Sequence, residues 1–276
     1  MSINRRQALG QIIKLTGAAA AGSMTVNSSV FAADAAPVAP WDGTALEYVQ
    51  LDPAAVARKA FLAGKGCMNE VFSSIVESLA ETAGNDQQQW ANIPTAMARY
   101  GWAGILGEGT TCGNINATGM FLNMVKVPGF NGDKAVSTSL MSKIGNYYEQ
   151  TPLPNNDEAF LKAALGDDYS DTWFAENVGE QTVAESMLCH ASLTTWAKHN
   201  GKVMSEKGPR CTLLSASIAY FIVQTLNQAL AGELDPDTLP QATSNTATCQ
   251  SCHSTSFRPA MVKTNMECDT CHGSHF

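Results

Sequence analysis

Eight cysteines and five histidines are the residues of this 276-residue chain best suited to redox chemistry. Four of the cysteines fall in two CxxCH patterns, Cys249–His253 and Cys268–His272, both inside TCQSCHSTSFRPAMVKTNMECDTCHGSHF, residues 248–276. Two thiols three residues apart can each add to one vinyl group of a haem, and the histidine that follows then lies under the iron. The spacing assigns one covalent haem c to Cys249 and Cys252 with His253 as axial ligand, and a second to Cys268 and Cys271 with His272. The competing chemistries are disulfides and a zinc site, because Cys249-x2-Cys252-x15-Cys268-x2-Cys271 also fits a four-cysteine zinc spacing. A histidine directly after each pair, the export signal described below and a tail poor in apolar residues all argue against zinc.

Two haems need two further axial ligands. His190, His199 and His275 remain, with Met261 and Met266 as alternatives that would raise the potential. His275 lies three residues past His272, too close to reach round its own haem, but it could reach the neighbouring haem or a partner chain's. His190 and His199 are nine residues apart on one predicted helix, so they point about 180° apart and cannot both serve one pocket. We take His190 and His275 as the distal candidates, ahead of His199. Iron with both axial positions filled has no room for a substrate, so the expected role is electron transfer, not enzymatic catalysis. The alternative is a multi-centre reductase acting on a small inorganic substrate at a haem with an open axial position. The sequence shows no proton-delivering constellation for it, since the tail's only acids are Glu267 and Asp269. A tail this short cannot cover two haems. Their apolar faces must pack on each other, on the body or on a second chain, and a homodimer through the haem segment is expected.

The other cysteines, Cys67, Cys112, Cys189 and Cys211, are scattered and have no CxxC partners. Cys112 precedes a predicted helix and Cys211 follows Gly208–Pro209 in the first turn of another. Helix N-termini favour thiolates, and thiolates bind iron–sulfur clusters and zinc. Two disulfides, or buried apolar thiols, are the structural alternatives.

GKGCMNEVF around Cys67, GEGTTCGNINATG around Cys112, CHASLTTWAKHNG from Cys189 and the pair Arg210–Cys211 resemble the four-cysteine redox family with the signature C–GCAxxG–C–C. With two C-terminal CxxCH motifs added, the chain is similar to split-Soret cytochrome c over most of residues 55–276. It departs from the pattern at Met68, where the family usually has alanine. The resemblance implies a dimeric, exported dihaem cytochrome. Its haems would lie close and nearly parallel, with bis-histidine ligation and one ligand supplied across the dimer. It also implies an iron–sulfur centre, [2Fe–2S], on Cys67, Cys112, Cys189 and Cys211.

The elements that must position these residues read as helices. Asp52–Pro53 starts a helix running to about Ala63. Val71, Ile75 and Leu79 give helical spacing to CMNEVFSSIVESLAE, and Pro94 opens a helix over TAMARYGWAGIL. GEGTTCGNINATG reads as a loop entering a helix that FLNMVK closes. Further helices are predicted at 133–149, 156–166, 179–199 and 209–231, with Gly201 and Gly232 at helix ends. The fold class is all-α, a helical body with a short, irregular C-terminal dihaem segment. The predicted domains are a helical four-cysteine iron–sulfur domain over 51–234 and the dihaem segment over 235–276, following a loose stretch at 33–50. Residues 212–230 are the most apolar later stretch, but Ser215, Ser217, Gln224, Asn227 and Gln228 interrupt it, so it reads as a core helix.

Arg5–Arg6 before a weakly apolar stretch, and Val-Phe-Ala-Ala at 30–33, read as a signal peptide over 1–32 of twin-arginine type, with an ordinary secretory signal as the alternative because Asn4, Ala8 and Gly10 depart from the usual flanks; either exports the mature chain, here to the periplasm. Its removal leaves 14 basic against 25 acidic residues, a formal charge of −11. Such a surface repels nucleic acid and anionic membranes.

Overall fold

The computed structural model describes residues 42–130, 138–239, 242–253 and 265–273. The predicted signal peptide, Met261 and His275 lie outside the described residues. Helix α1, Pro53–Ala63, begins where Asp52 accepts a hydrogen bond from the Ala54 amide at 2.9 Å, with Pro53 in its first turn. It ends at Gly64 in the left-handed conformation. Helix α2, Cys67–Glu81, buries Val71, Phe72, Ile75 and Leu79. Then follow α3 (Gln87–Ala91), a 3-10 turn (Thr95–Gly101), α4 (Gly113–Leu122), α5 (Thr138–Gln150), α6 (Glu158–Leu165), α7 (Trp173–Asn177), α8 (Cys189–Asn200), α9 (Lys207–Leu230) and α10 (Ser244–Cys252). The predicted all-α class holds. The strand content described is one parallel pair of two-residue strands, β1 (Leu46–Glu47) and β2 (Val125–Lys126).

Helix α9 is the central strut and packs on α1 and α2. By length and composition Met204–Leu230 could cross a membrane. Its apolar side chains, including Leu213, Leu214, Ile218, Ile222, Val223 and Leu226, are instead buried inside the protein, each contributing roughly 1.5–3 kcal/mol. The polar interruptions have partners in the fold: the Ser215 hydroxyl donates to Asn114 Oδ1 at 3.0 Å, and Asn227 Oδ1 accepts from the Tyr48 hydroxyl at 2.8 Å.

Three expectations change. The end of the stretch read as loose is tied down: Leu46 and Tyr48 are buried, and their amides donate to Met124 and Lys126 carbonyls at 2.7 and 3.2 Å. Its Pro and Ala content masked an alternating pair of core side chains. The helix expected from Pro94 is only a 3-10 turn. Gly101 ends it, since a Cβ there would meet Met68 Cβ at 2.7 Å, and the chain then runs left-handed through Ala103, Gly104, Ile105, Leu106 and Gly107. The helix expected over 179–199 begins only at Cys189. Thr182 and Leu188 before it are extended, bridging Leu153 and Thr111.

The tail is irregular except for α10, which Thr243 caps by accepting from the Thr246 amide at 3.1 Å. Glu267 fastens the tail to the end of α5. Its Oε2 accepts from the Thr243 hydroxyl at 2.6 Å and from Gln150 Nε2 at 3.2 Å, and its amide donates to Glu149 Oε1 at 3.2 Å. Glu149 is fully buried, and desolvation, aided by the neighbouring Glu267 carboxylate, raises its carboxyl from 4.5 to about 7. Between those values the folded chain keeps a proton that the unfolded chain has lost. The stability this group contributes is therefore complete below pH 4.5 and lost as pH rises through about 7. With a discount for solvent screening, the loss is about 2 kcal/mol. Urea midpoints at pH 5 and pH 8 check this: Glu149→Gln should keep its pH 5 stability at pH 8, and an unchanged pH slope in that variant would contradict it.

Candidate functional site

Cys67, Cys112, Cys189 and Cys211 come from four separate elements and line one cavity of about 180 Å³, together with Glu70, Trp102, Asn114, Tyr148, Lys207 and Arg210. Cys67 opens α2, Cys112 is the residue before α4, Cys189 opens α8 and Cys211 is the fifth residue of α9, two residues deeper than expected. Backbone pairing sets two of them side by side. The Cys112 amide donates to the Met187 carbonyl at 2.8 Å and the Cys189 amide to the Thr110 carbonyl at 2.7 Å, across the Thr111–Leu188 bridge. Gly113 lets α2 and α4 meet end to end, since a Cβ there would meet Met68 N at 2.7 Å and overlap the Cys67 sulfur.

No disulfide joins any of the eight cysteines in this structure. Cys67 and Cys112 form a hydrogen-bonded pair. That contact, with burial, keeps the proton on Cys67, and the same contact holds Cys112 below the ordinary thiol range, helped by the Tyr148 hydroxyl beside it. Burial pushes Cys189 up to about 11 and raises Cys211 despite the Arg210 guanidinium. Of the two cysteines expected to gain thiolate character at helix starts, Cys112 is lowered and Cys211 is raised, because burial dominates at Cys211. Metal binding here must release protons.

Among the described residues, no group of three or more His, Cys, Asp or Glu side chains is placed to hold a single ion. Four thiols around an open volume fit a bulkier group. An iron–sulfide core lies between its protein sulfurs and spaces them further apart than one ion does, and all-thiol donor sets suit such cores.

The CxxCH motifs form two matching turns. The His253 amide donates to the Cys249 carbonyl at 2.8 Å, and the His272 amide to the Cys268 carbonyl at 3.0 Å. The turns stand side by side: Cys249 Sγ lies 3.9 Å from Asp269 Oδ1, and burial together with the adjacent Cys268 raises the Cys249 thiol. Cys252, His253, Cys271 and His272 are exposed. A turn with its second sulfur and its histidine exposed, and its first sulfur half-buried, fits a haem attached from solvent.

Two short connections join the turns to the cysteine cavity. Tyr148 lines the cavity, and the next residue, Glu149, accepts from the Glu267 amide, one residue before Cys268. The Thr270 hydroxyl donates to the Glu185 carbonyl, four residues before Cys189.

His190 follows Cys189 on α8 and is exposed, with Nδ1 2.9 Å from the Gly109 carbonyl oxygen. With Nδ1 donating to that carbonyl, Nε2 is the ring nitrogen left to ligate. His199 Nε2 is engaged by Glu180 Oε2 at 2.8 Å. Met266 accepts through its carbonyl from the Thr246 hydroxyl at 3.2 Å.

The sequence reading missed Glu70, Tyr148, Glu149 and Arg210. A signal existed for two: Glu70 lies three residues after Cys67 on the apolar side of α2, and Tyr148 continues the Leu140–Ile144 stripe of α5.

The chain shares its fold with a solved structure of the split-Soret cytochrome c from Desulfovibrio desulfuricans, described as holding a novel iron centre. The identity is 22% and the TM-score 0.63, over 82% of this chain and 90% of that one. No family model matches the chain. No curated protein matches it.

Proposed function

We propose that this chain is a periplasmic electron-transfer protein, exported by the twin-arginine route. It carries two haem c groups on Cys249/Cys252 and Cys268/Cys271 and a [2Fe–2S] cluster on Cys67, Cys112, Cys189 and Cys211. The observation that carries the reading is the joining of two adjacent CxxCH turns, through Glu149–Glu267 and Thr270–Glu185, to a cavity lined by four thiols. The shared fold with a cytochrome c that holds an iron centre supports it. When bound, haem and cluster each exchange single electrons. This chain's residues fix the spacing: α5 and the 185–189 segment connect the two sites by hydrogen bonds and a few covalent links. His253 and His272 are the proximal ligands, and His190 and His275 the distal ones. The exposed turns leave the haem faces for a second copy of the chain to cover.

Absorption and EPR spectra, with iron and haem counted per chain, test the assignment. A carrier with saturated iron does not bind CO when reduced. His190→Ala should open one iron to CO, while His199→Ala, whose ring is held by Glu180, should not. Rapid CO binding by the unmodified reduced protein would favour the reductase instead.

A further inference from the structure

Three donors in the cysteine cavity are buried without partners. Tyr148 Oη, Asn114 Nδ2 and Arg210 Nε have no oxygen or nitrogen acceptor, yet the three residues are only 1%, 1% and 2% exposed. Such groups are rare in folded proteins, and each costs roughly 1–3 kcal/mol if left unsatisfied. All three residues line the cavity of the four thiols. Their other polar contacts fix how they stand. Asn114 Oδ1 is held by the Ser215 hydroxyl at 3.0 Å, and Arg210 Nη2 donates to Ser192 Oγ at 2.8 Å. The Tyr148 hydroxyl stands beside the Cys112 sulfur and the Arg210 guanidinium beside the Cys211 sulfur, each in a contact that favours the thiolate, so both groups already face sulfur. Amide and guanidinium N–H groups only donate, and a phenol donates readily. A cavity walled by four sulfurs and three unused donors is suited to an electron-rich, acceptor-only occupant.

We propose that Tyr148, Asn114 and Arg210 are hydrogen-bond donors to the sulfur atoms of the group bound by Cys67, Cys112, Cys189 and Cys211, and that they raise its reduction potential. This rests on the iron–sulfur reading above. Donors directed at cluster sulfurs stabilise the reduced form, which carries more negative charge. They act as positioning and tuning residues and ligate no iron.

The test is an EPR-monitored redox titration of the full-length protein and of Tyr148→Phe and Arg210→Lys, with iron and acid-labile sulfide measured in each. Tyr148→Phe removes one hydroxyl and keeps the ring; Arg210→Lys keeps the charge and loses Nε. Each variant is expected to retain its sulfide and to shift the cluster midpoint to more negative potential, while the haem midpoints stay in place. Fully loaded variants with unmoved cluster midpoints would overturn this inference and leave the cluster itself standing. Unmodified protein lacking acid-labile sulfide would overturn both. Should a variant load poorly, pulsed EPR of the unmodified protein exchanged into D2O decides: exchangeable couplings at the cluster support the proposal, and their absence overturns it.

Discussion

Cys112→Ala should abolish the non-haem iron and acid-labile sulfide while leaving two covalent haems per chain. Cys112 sits where α2, α4 and the 187–189 segment converge, and its sulfur is the one held toward the thiolate form by both Cys67 and Tyr148. Its loss removes one of the four thiols that line the cavity. The substitution leaves the scaffold alone. The Cys112 amide still donates to the Met187 carbonyl, and its carbonyl still accepts from Ile115 and Asn116. The helical circular dichroism should be unchanged and the stability lowered by about 1 kcal/mol, as expected for deleting one small buried group. The tail is anchored through Glu149 and Glu267, so its haems do not depend on this thiol. Full retention of non-haem iron in the variant would refute the four-cysteine assignment.

Cys268→Ala combined with Cys271→Ala should lower the covalent haem count from two to one, read from the mass of the intact polypeptide. Each clamp is a self-contained turn, closed by its own histidine amide on its own first cysteine carbonyl. The contacts that dock the second clamp come from Glu267 and Thr270, so removing the two thiols leaves the turn in place. The first clamp keeps Cys249, Cys252 and His253 and should stay loaded. A four-cysteine zinc site would behave otherwise: losing two ligands would release the metal altogether, and no haem would be present to count.

The two CxxCH turns were legible in the sequence because their pattern is local. Five consecutive residues set the spacing of two sulfurs and one nitrogen. Helix class was legible from apolar spacing on α2 and α9, and α1 from its Asp52–Pro53 start. The gathering of the four body cysteines was not, because it depends on contacts between residues more than a hundred positions apart, such as Ser215 with Asn114. Spacing alone left them scattered, and only family resemblance grouped them. The true start of α8 was hidden as well. The Thr111–Leu188 bridge holds the preceding residues extended, and that pairing has no signature within either segment. Burial of Glu149 was invisible for the same reason: its partner, the Glu267 amide, arrives from the tail. His190 and His199 share α8, but their different partners, the Gly109 carbonyl and the Glu180 carboxylate, were not legible in the sequence.

The most direct measurement is the intact mass of the mature polypeptide, purified under denaturing conditions so that only covalent groups survive. Two haems per chain are expected. A mass equal to that of the bare polypeptide would contradict the cytochrome assignment at its root.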